Sequence, residues 1–237
     1  MQPDIWKERM ETLWGLENVE KFQKAWVGVI GLGGVGSFAL EAIARSGVGH
    51  IVMVDKDQVD ITNINRQLPA LHSTVGRAKT DVLKERVLDI NPHAEVIALQ
   101  EVYTAETSEK LLQYPFDYIV DAIDSIPDKL HLIQTCYQKK IPFISSMGMA
   151  NRKDPTQLQI TDLSKTEICP LCKKLRYELR KRGIEKGIRV VYSRELPENA
   201  LQDKRKLGSC SFVPSVAGLY LASEVITHLA KNPLTSR

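Results

Sequence analysis

The first 150 residues alternate between short apolar runs and segments whose apolar residues recur at helical spacing. The apolar runs predict β-strands, and the segments between them predict α-helices. Strands separated by helices in this order favour a largely parallel, doubly wound α/β sheet. The predicted strands are 27–30, 50–55, 95–99, 118–123 and 141–148. The predicted helices are 4–25, 36–46, 74–90, 106–113 and 127–140.

The alternation weakens after residue 150. Residues 156–163 alternate in polarity like a half-exposed strand, and 171–182 predict an amphipathic helix. Residues 193–209 are polar and predict a loop. The apolar helix predicted over 213–230 is too short for a membrane span and carries Glu224, so we interpret it as packed on the core. Because no repeat or linker interrupts the chain, we expect a single domain.

The composition is that of an ordinary water-soluble protein, with 43% hydrophobic and 26% charged residues. The N-terminal stretch mixes charges with its apolar residues and lacks the core of a signal peptide. The four cysteines do not suggest a disulfide framework. We therefore expect a cytoplasmic protein with no membrane segment.

Charge is distributed unevenly along the chain. Residues 173–206 contain twelve Lys or Arg and five Asp or Glu, which gives this window a net charge of +7 against +3 for the whole chain. A basic segment on an otherwise acidic protein suits a polyanionic partner, although a solvated helix face would have the same composition.

A glycine-rich turn directly follows the first predicted strand. Residues 31–36 read Gly-Leu-Gly-Gly-Val-Gly, the G-x-G-x-x-G order, and a helix follows. In this order the glycines permit a tight turn, a close approach of backbone to phosphate and close packing of helix on strand. The helix N-terminus then offers free N–H groups to an anion. Asp55, which ends the next strand, has the spacing of an acid that binds a ribose hydroxyl. The turn predicts a Rossmann-like nucleotide site but does not identify the nucleotide.

Further polar residues surround this predicted site. Asn63, Asn65 and Arg66 lie in the loop after the second strand, Lys79 opens the next helix, and Asp124 follows the fourth strand. Cations around a phosphate-binding turn suit a reacting triphosphate, whose developing negative charge needs Arg, Lys and a metal ion. Asp124 offers the oxygen ligand that Mg²⁺ prefers. An NAD-dependent oxidoreductase is an alternative for this fold, but its chemistry does not need the combination of Arg66, Lys79 and Asp124.

Four motifs, GLGGVGS, VDKDQVDITNINRQ, VGRAK and DAIDS, occur in this order and resemble those of the E1-like adenylating enzymes. This superfamily includes ubiquitin activators and bacterial adenylyltransferases of the molybdopterin and thiamine pathways. The resemblance extends from about residue 9 to the closing helix. It implies an E1-like adenylation fold over residues 1–237 that uses ATP and Mg²⁺.

The resemblance also implies roles for individual residues. Asp55 would bind the ribose, and Asp124 would coordinate Mg²⁺. Arg9 matches an arginine that this family inserts into the ATP site of the neighbouring subunit, which implies a homodimer. The phosphates would be bound by Asn63, Arg66 and Lys79. The expected nucleotide-binding residues are Gly31, Gly33, Gly34, Val35, Gly36, Asp55, Asp57, Asn63, Asn65, Arg66, Lys79 and Asp124. The expected catalytic residues are Arg9, Arg66, Lys79 and Asp124.

Residues 154–166, the basic helix after them and residues 211–219 are most similar to the tRNA threonylcarbamoyladenosine dehydratase branch of this superfamily. That branch uses ATP to activate the threonyl carboxylate of a modified adenosine next to the anticodon. The carbamoyl group then closes on the activated carbon with net loss of water. Such an intramolecular attack gains from proximity and needs no enzyme thiol. The basic segment, about 165–206, would face the tRNA, and Tyr177 or Tyr192 would stack on a base or belong to the core.

The nearest alternative keeps the adenylation chemistry but acts on the C-terminus of a ubiquitin-like sulfur carrier, with that carrier or a sulfur-transfer protein as the partner. A zinc site and an acyl-accepting cysteine would favour it. Cys169 and Cys172 have metal-ligand spacing, and Cys210 and His228 could complete a site, but a second CxxC pair is missing. No histidine neighbours Cys210 in sequence to activate it as a nucleophile. A non-catalytic nucleotide-binding RNA module is a further alternative.

Overall fold

A computed structural model describes residues 5–198 and 207–234 of the chain. Its helices and strands alternate along most of the length, as the sequence predicts. The helices are α1 (Glu8–Trp14), α2 (Leu16–Lys24), α3 (Gly36–Arg45), α4 (Lys79–Ile90), α5 (Ser108–Leu111), α6 (Ile126–Lys139), α7 (Pro170–Arg180) and α8 (Phe212–Lys231). The strands are β1 (Trp26–Ile30), β2 (His50–Val54), β3 (Glu95–Leu99), β4 (Tyr118–Asp121), β5 (Phe143–Ser146), β6 (Leu158–Asp162) and β7 (Arg189–Ser193).

Within the described residues, seven strands form one sheet in the order β3-β2-β1-β4-β5-β7-β6. All neighbouring strands are parallel except β6, which runs antiparallel to β7. The chain moves outward from β1 to β3, returns to β4 beside β1, and then moves outward in the other direction. This reversal creates a crevice at the carboxyl ends of β1 and β4, where doubly wound folds bind their ligands. The predicted α/β class is confirmed.

The sequence prediction fails at two places in the element order. The helix predicted over 4–25 is divided at Gly15, which has a φ of 82° and separates α1 from α2. Strand β7 was not predicted, because its apolar run Val190–Tyr192 is short and bounded by charged and turn residues. The strand pairs with β5 and β6, and Val190 and Val191 are buried in the hydrophobic clusters on opposite faces of the sheet, so β7 depends on long-range contacts rather than on local pattern. Part of the predicted loop 193–209 falls on residues 199–206, which lie outside the described residues.

Helices cover both faces of the sheet and bury a hydrophobic cluster on each side. The last helix, α8, has 20 residues and is long and apolar enough to cross a membrane by length and composition alone, so the expectation that it is too short for a span is wrong. It packs instead against α3 and the sheet and buries Val213, Ala217, Leu221 and Val225 completely. The interpretation of α8 as a core helix is therefore confirmed.

Candidate active site

The glycine-rich turn connects β1 to α3 at the carboxyl edge of the sheet. Gly31 has a φ of 92°, a backbone conformation that side chains disfavour. A Cβ on Gly36 would lie 1.8 Å from the Gly31 carbonyl oxygen, so only glycine allows α3 to begin this close to the turn. At Gly33 a Cβ would meet only the Gln67 side chain, at 3.8 Å, which leaves open space over the turn. The turn therefore presents bare backbone to a cavity, as a phosphate-binding turn must.

Asp55 follows β2 and is fixed by backbone donors on both sides. Its Oδ2 accepts a hydrogen bond from the Leu32 N–H at 2.6 Å, and its Oδ1 accepts one from the Asp57 N–H at 2.8 Å. The first bond ties the end of β2 to the glycine turn. The carboxylate is thereby held at the cavity wall with about a tenth of its side chain exposed, which suits hydrogen bonding to a ligand hydroxyl.

The loop after Asp55 is ordered by its own side chains. Asn63 is buried, and its Oδ1 accepts from the Asp60 N–H in a reciprocal cap. Arg66 reaches the cavity wall, where its Nη1 donates to Thr62 O at 2.9 Å and to Asn65 Oδ1 at 2.8 Å. Asn65 and Arg66 line the cavity, whereas Asn63 supports the loop that carries them.

Lys79 is the first residue of α4, and only 4% of it is exposed. Its Nζ lies 3.1 Å from Asp57 Oδ2 and 4.0 Å from Asp55 Oδ1. Asp57 is half exposed, so water can solvate it when the lysine changes partner. A buried ammonium group beside the glycine turn is a strong point charge for a phosphate.

The end of β4 contributes the remaining acid. The segment from Ala122 to Ile126 lines the cavity, and within it Asp124 is exposed. Asp128, in the first turn of α6, lines the cavity next to it. The two carboxylates lie on the same wall as the glycine turn, where they could hold Mg²⁺ together with phosphate oxygens.

Beneath this wall lies a buried polar cluster that sequence reasoning missed. Lys129 Nζ contacts Asp121 Oδ2 at 2.8 Å and Ser145 Oγ at 3.1 Å, and Ser145 Oγ donates to the same carboxylate oxygen at 2.6 Å. All three residues are at most 1% exposed. Asp121 Oδ1 also accepts from the Ile123 N–H at 3.0 Å, which fixes the segment that carries Asp124. No local motif marks the cluster, because its members come from β4, α6 and β5.

These residues enclose one cavity of about 830 Å³ at the switch point of the sheet. Its volume and its mixture of bare backbone, cations and acids fit a nucleoside triphosphate with a divalent cation. Of the predicted residues, those that line it are Gly31, Gly33, Gly34, Val35, Asp55, Asp57, Asn65, Arg66, Lys79 and Asp124. Those that do not are Gly36, which packs α3 on the turn, Asn63, and Arg9, which is exposed on α1.

The residues considered as zinc ligands do not lie close together. Among residues 5–198 and 207–234, no group of three or more His, Cys, Asp or Glu is arranged to hold a metal ion. Cys169 and Cys172 are buried in one core cluster, whereas Cys210 packs against the other and contacts Arg152 O at 3.7 Å. The ring of His228 packs edge-on against Tyr118, with centroids 4.9 Å apart.

The structure divides the basic segment into structural and exposed cations. Arg176 donates to Thr166 O at 2.8 Å, and Arg189 makes a two-pronged ion pair with Glu224. Tyr192 is buried, whereas Tyr177 is 60% exposed with Lys181 Nζ 4.1 Å above its ring. Within the described part of the basic segment, the exposed cations besides the paired Arg189 are Lys173, Lys174, Arg180, Lys181, Arg182, Lys186 and Arg194. The remaining cations, 204–206, lie outside the described residues.

Comparison with known proteins shows the family to which this chain belongs. The model of the ThiF family matches residues 7–237. The chain is 50% identical to the tRNA threonylcarbamoyladenosine dehydratase of Bacillus subtilis, over 94% of each chain. It is 40% identical to the Escherichia coli protein of that name, over 81% of this chain and 75% of the relative. The solved E. coli dehydratase in complex with ATP superposes with a TM-score of 0.89 at 34% identity and covers 98% of this chain and 97% of that one. The chain therefore belongs to the ThiF family and has its E1-like adenylation fold.

Proposed function

We propose that this protein is an ATP-dependent tRNA threonylcarbamoyladenosine dehydratase. The observation that carries the proposal is the 50% identity to the B. subtilis dehydratase over 94% of both chains. A span of that length extends well beyond the nucleotide-binding half. A sulfur-carrier adenylyltransferase is not favoured, because two dehydratases match over 94% and 81% of this chain at 50% and 40% identity. We also propose that residues 1–237 act as one adenylation domain.

The carboxyl-edge cavity would hold ATP for attack at its α-phosphorus. The N–H groups of the glycine turn and of the α3 N-terminus would bind phosphate oxygens, and Asp55 would accept a hydrogen bond from the ribose. Arg66 and Lys79 would stabilise the negative charge that develops on the phosphates. Lys79 would exchange Asp57 for a phosphate oxygen, while Asn63 would act by holding the loop in place.

Magnesium would be held by Asp124, with Asp128 beside it, and would supply Lewis-acid stabilisation of the phosphates. The substrate carboxylate would displace pyrophosphate and form an acyl adenylate. The carbamoyl group of the same side chain would then attack the activated carbon, release AMP and close the ring. Both steps need positioning and charge stabilisation, and neither needs an enzyme thiol. This agrees with the burial of Cys136, Cys169 and Cys172.

The tRNA would approach over α7, which begins at the cavity with Leu171 and carries the exposed cations outward. Lys173, Tyr177 and Arg180 follow one another at helical spacing on its exposed side. Lysine and arginine would bind phosphates, and the exposed Tyr177 ring offers a stacking surface for an unpaired base. The buried Tyr192 is not available for stacking.

A homodimer would complete the site. Arg9 lies on α1, which carries the exposed apolar side chain of Leu13, and Trp6 before this helix and Leu16 after it expose apolar side chains as well. A second copy that covers this surface would bring Arg9 to the partner's phosphates. Mixed dimers of Arg9→Ala and Lys79→Met subunits test this: one intact site per dimer should return activity that neither variant has alone. The four free cysteines suit a cytoplasmic location.

The test of the function is AMP and pyrophosphate formation from ATP and Mg²⁺, with three candidate substrates in parallel. We expect turnover with threonylcarbamoyl-modified tRNA and none with the same tRNA lacking the modification. Turnover only with a ubiquitin-like carrier would contradict the proposal, and unchanged ATP with every substrate would indicate a non-catalytic binding module. Asp124→Ala, a change at an exposed side chain, should abolish turnover without unfolding the protein.

A further inference from the structure

The Cys-Pro-Leu-Cys motif plays no part in the adenylation chemistry, yet it lies against the cavity. Cys169 is the N-cap of α7, and Cys172 lies in the first turn of that helix. Leu171, between them, lines the cavity. α-Helix geometry places Cα atoms three residues apart at roughly 5 Å, within the range of about 4.4–6.8 Å that a disulfide spans.

The backbone before the motif is strained. Ile168 has a φ of 63°, in the left-handed region that β-branched residues avoid. Strain of this kind persists where surrounding contacts enforce it, and it concentrates at functional segments. Here it sets the direction in which the chain enters α7 and thus the position of Cys169.

A buried arginine accompanies the pair. Arg152 is 4% exposed, and within the described residues its Nη2 has no hydrogen-bond partner. Its Nη1 donates to the carbonyl oxygens of Gly148 and Ala150, both of which line the cavity. The guanidinium therefore holds backbone carbonyls of the cavity wall, and its positive charge contributes to lowering the pKa of Cys169.

The two thiols are electrostatically unequal. Hydrogen bonding by the Cys172 thiol, with help from the first-turn amides and the Arg152 charge, lowers the pKa of Cys169 below its usual range despite burial. The same interaction, together with burial, raises the pKa of Cys172. By contrast, burial raises the pKa of Cys136, in the last turn of α6, to about 12. A thiolate at a helix N-terminus beside a second thiol is typical of reactive dithiols, and because Cys169 and Cys172 are buried here, a small disulfide reaches them only when the first turn of α7 opens.

We propose that Cys169 and Cys172 form a redox-active dithiol whose oxidation to a disulfide lowers the activity of the adjoining site. The Cys169 thiolate attacks one sulfur of a low-molecular-weight disulfide, forms a mixed disulfide and releases one thiolate. Cys172 then gives up its proton, attacks Cys169 Sγ and expels the second thiol. Counted from the Cys169 thiolate, the protein loses two electrons and the one proton of Cys172, and the small disulfide becomes one thiolate and one thiol.

The expected effect on activity follows from Arg152. Oxidation removes the negative charge beside a guanidinium that also holds the Gly148 and Ala150 carbonyls, and it changes the first turn of α7 at Leu171. Both changes act on the wall of the cavity. This consequence rests on the proposed function, whereas the disulfide itself does not.

The experiment uses the full chain with Cys136→Ala and Cys210→Ala, so that only the CxxC cysteines remain. The folded protein is equilibrated in glutathione buffers that range from fully reduced to fully oxidised. Its free thiols are then alkylated, and the masses of its peptides are measured by mass spectrometry. We expect an intramolecular Cys169–Cys172 disulfide that dithiothreitol reverses. A several-fold loss of AMP formation should accompany it and should be absent in Cys169→Ser and Cys172→Ser variants.

Three outcomes would overturn the proposal. The pair could remain reduced in oxidised glutathione until the protein unfolds. The protein could retain one equivalent of zinc that Cys169→Ser releases, in which case the thiolates are metal ligands. The disulfide could form while AMP formation stays unchanged, which would remove the coupling to the site. If the protein forms no AMP with any substrate, a thermal shift with ATP in both redox states measures the coupling instead, and an unchanged shift would likewise refute it.

Discussion

The two ends of the sheet both carry a cavity with charged residues, but they use charge differently. At the carboxyl end, Lys79, Arg66 and Asp124 surround about 830 Å³ of open space. At the amino end, a smaller cavity of about 350 Å³ has Arg189 paired with Glu224 through two contacts of 2.9 and 3.0 Å. The charge of Arg189 is thus neutralised by Glu224 within the chain. Lys79, by contrast, can exchange Asp57, which is half exposed, for a phosphate group of a ligand.

The difference shows that charged residues in a cavity do not by themselves make a site. What distinguishes the carboxyl end is bare backbone at a helix N-terminus together with cations whose partners water can replace. The amino ends of parallel strands offer neither feature. The next four predictions test this contrast.

The largest effect is expected at Lys79. Replacing it by Met should lower AMP formation by about 10²–10³-fold, the loss typical of one removed transition-state donor. Asp57 is half exposed and can be hydrated, so the urea midpoint should change little. Lys79→Arg keeps the charge and should recover part of the rate. If Lys79→Met lowered the urea midpoint substantially along with the rate of AMP formation, the residue would be structural rather than catalytic.

The opposite pattern is expected at Lys129, just beneath the same wall. Lys129→Met leaves the fully buried Asp121 without its cation, and urea unfolding should show a loss of about 3–5 kcal/mol. Adding Asp121→Asn removes the buried charge and should restore at least half of that loss. If the single variant unfolds like the wild type, the cluster is not the support that we describe.

A smaller effect is expected on the exposed side of α7. Lys173→Ala with Arg180→Ala should raise the KM for tRNA and reduce the salt slope of binding by about one per lost phosphate contact. The KM for ATP should stay unchanged. Lys84→Ala, an exposed lysine on α4, is the matched control. An equal rise in the KM values for tRNA and for ATP would contradict this assignment and would indicate that α7 contributes to the ATP site.

The smallest effect is expected at His228, at the amino end of the sheet, and it concerns the pH dependence of stability. Burial lowers the pKa of its imidazole, against the opposing charges of Glu224 and Asp117. Because the unfolded chain then binds the proton more readily, stability should fall as the pH drops from about 6.5 towards the lower folded-state pKa. His228→Gln should flatten this acid-side loss in urea unfolding and leave AMP formation at pH 7.5 unchanged. A loss of activity at that pH would show that the amino end also takes part in the reaction.

The sequence predicted the carboxyl end well because its signals are local. Strand, glycine turn, helix and acid follow one another within about thirty residues, so G-x-G-x-x-G and Asp55 could be read directly. The support of that site could not be predicted. Lys129, Asp121 and Ser145 lie on separate elements and meet only after the sheet forms. The same holds for β7, which its neighbours stabilise, and for Arg152, whose side chain donates to backbone carbonyl groups.

The central claim is that the carboxyl-edge cavity activates a carboxylate on tRNA. Its most direct test is mass spectrometry of nucleosides from threonylcarbamoyl-modified tRNA incubated with the protein, ATP and Mg²⁺. We predict that the modified adenosine loses one water only when ATP is present, and that Lys79→Met prevents the change. An unchanged nucleoside, from a folded protein that exchanges pyrophosphate into ATP only with a ubiquitin-like carrier, would contradict the account.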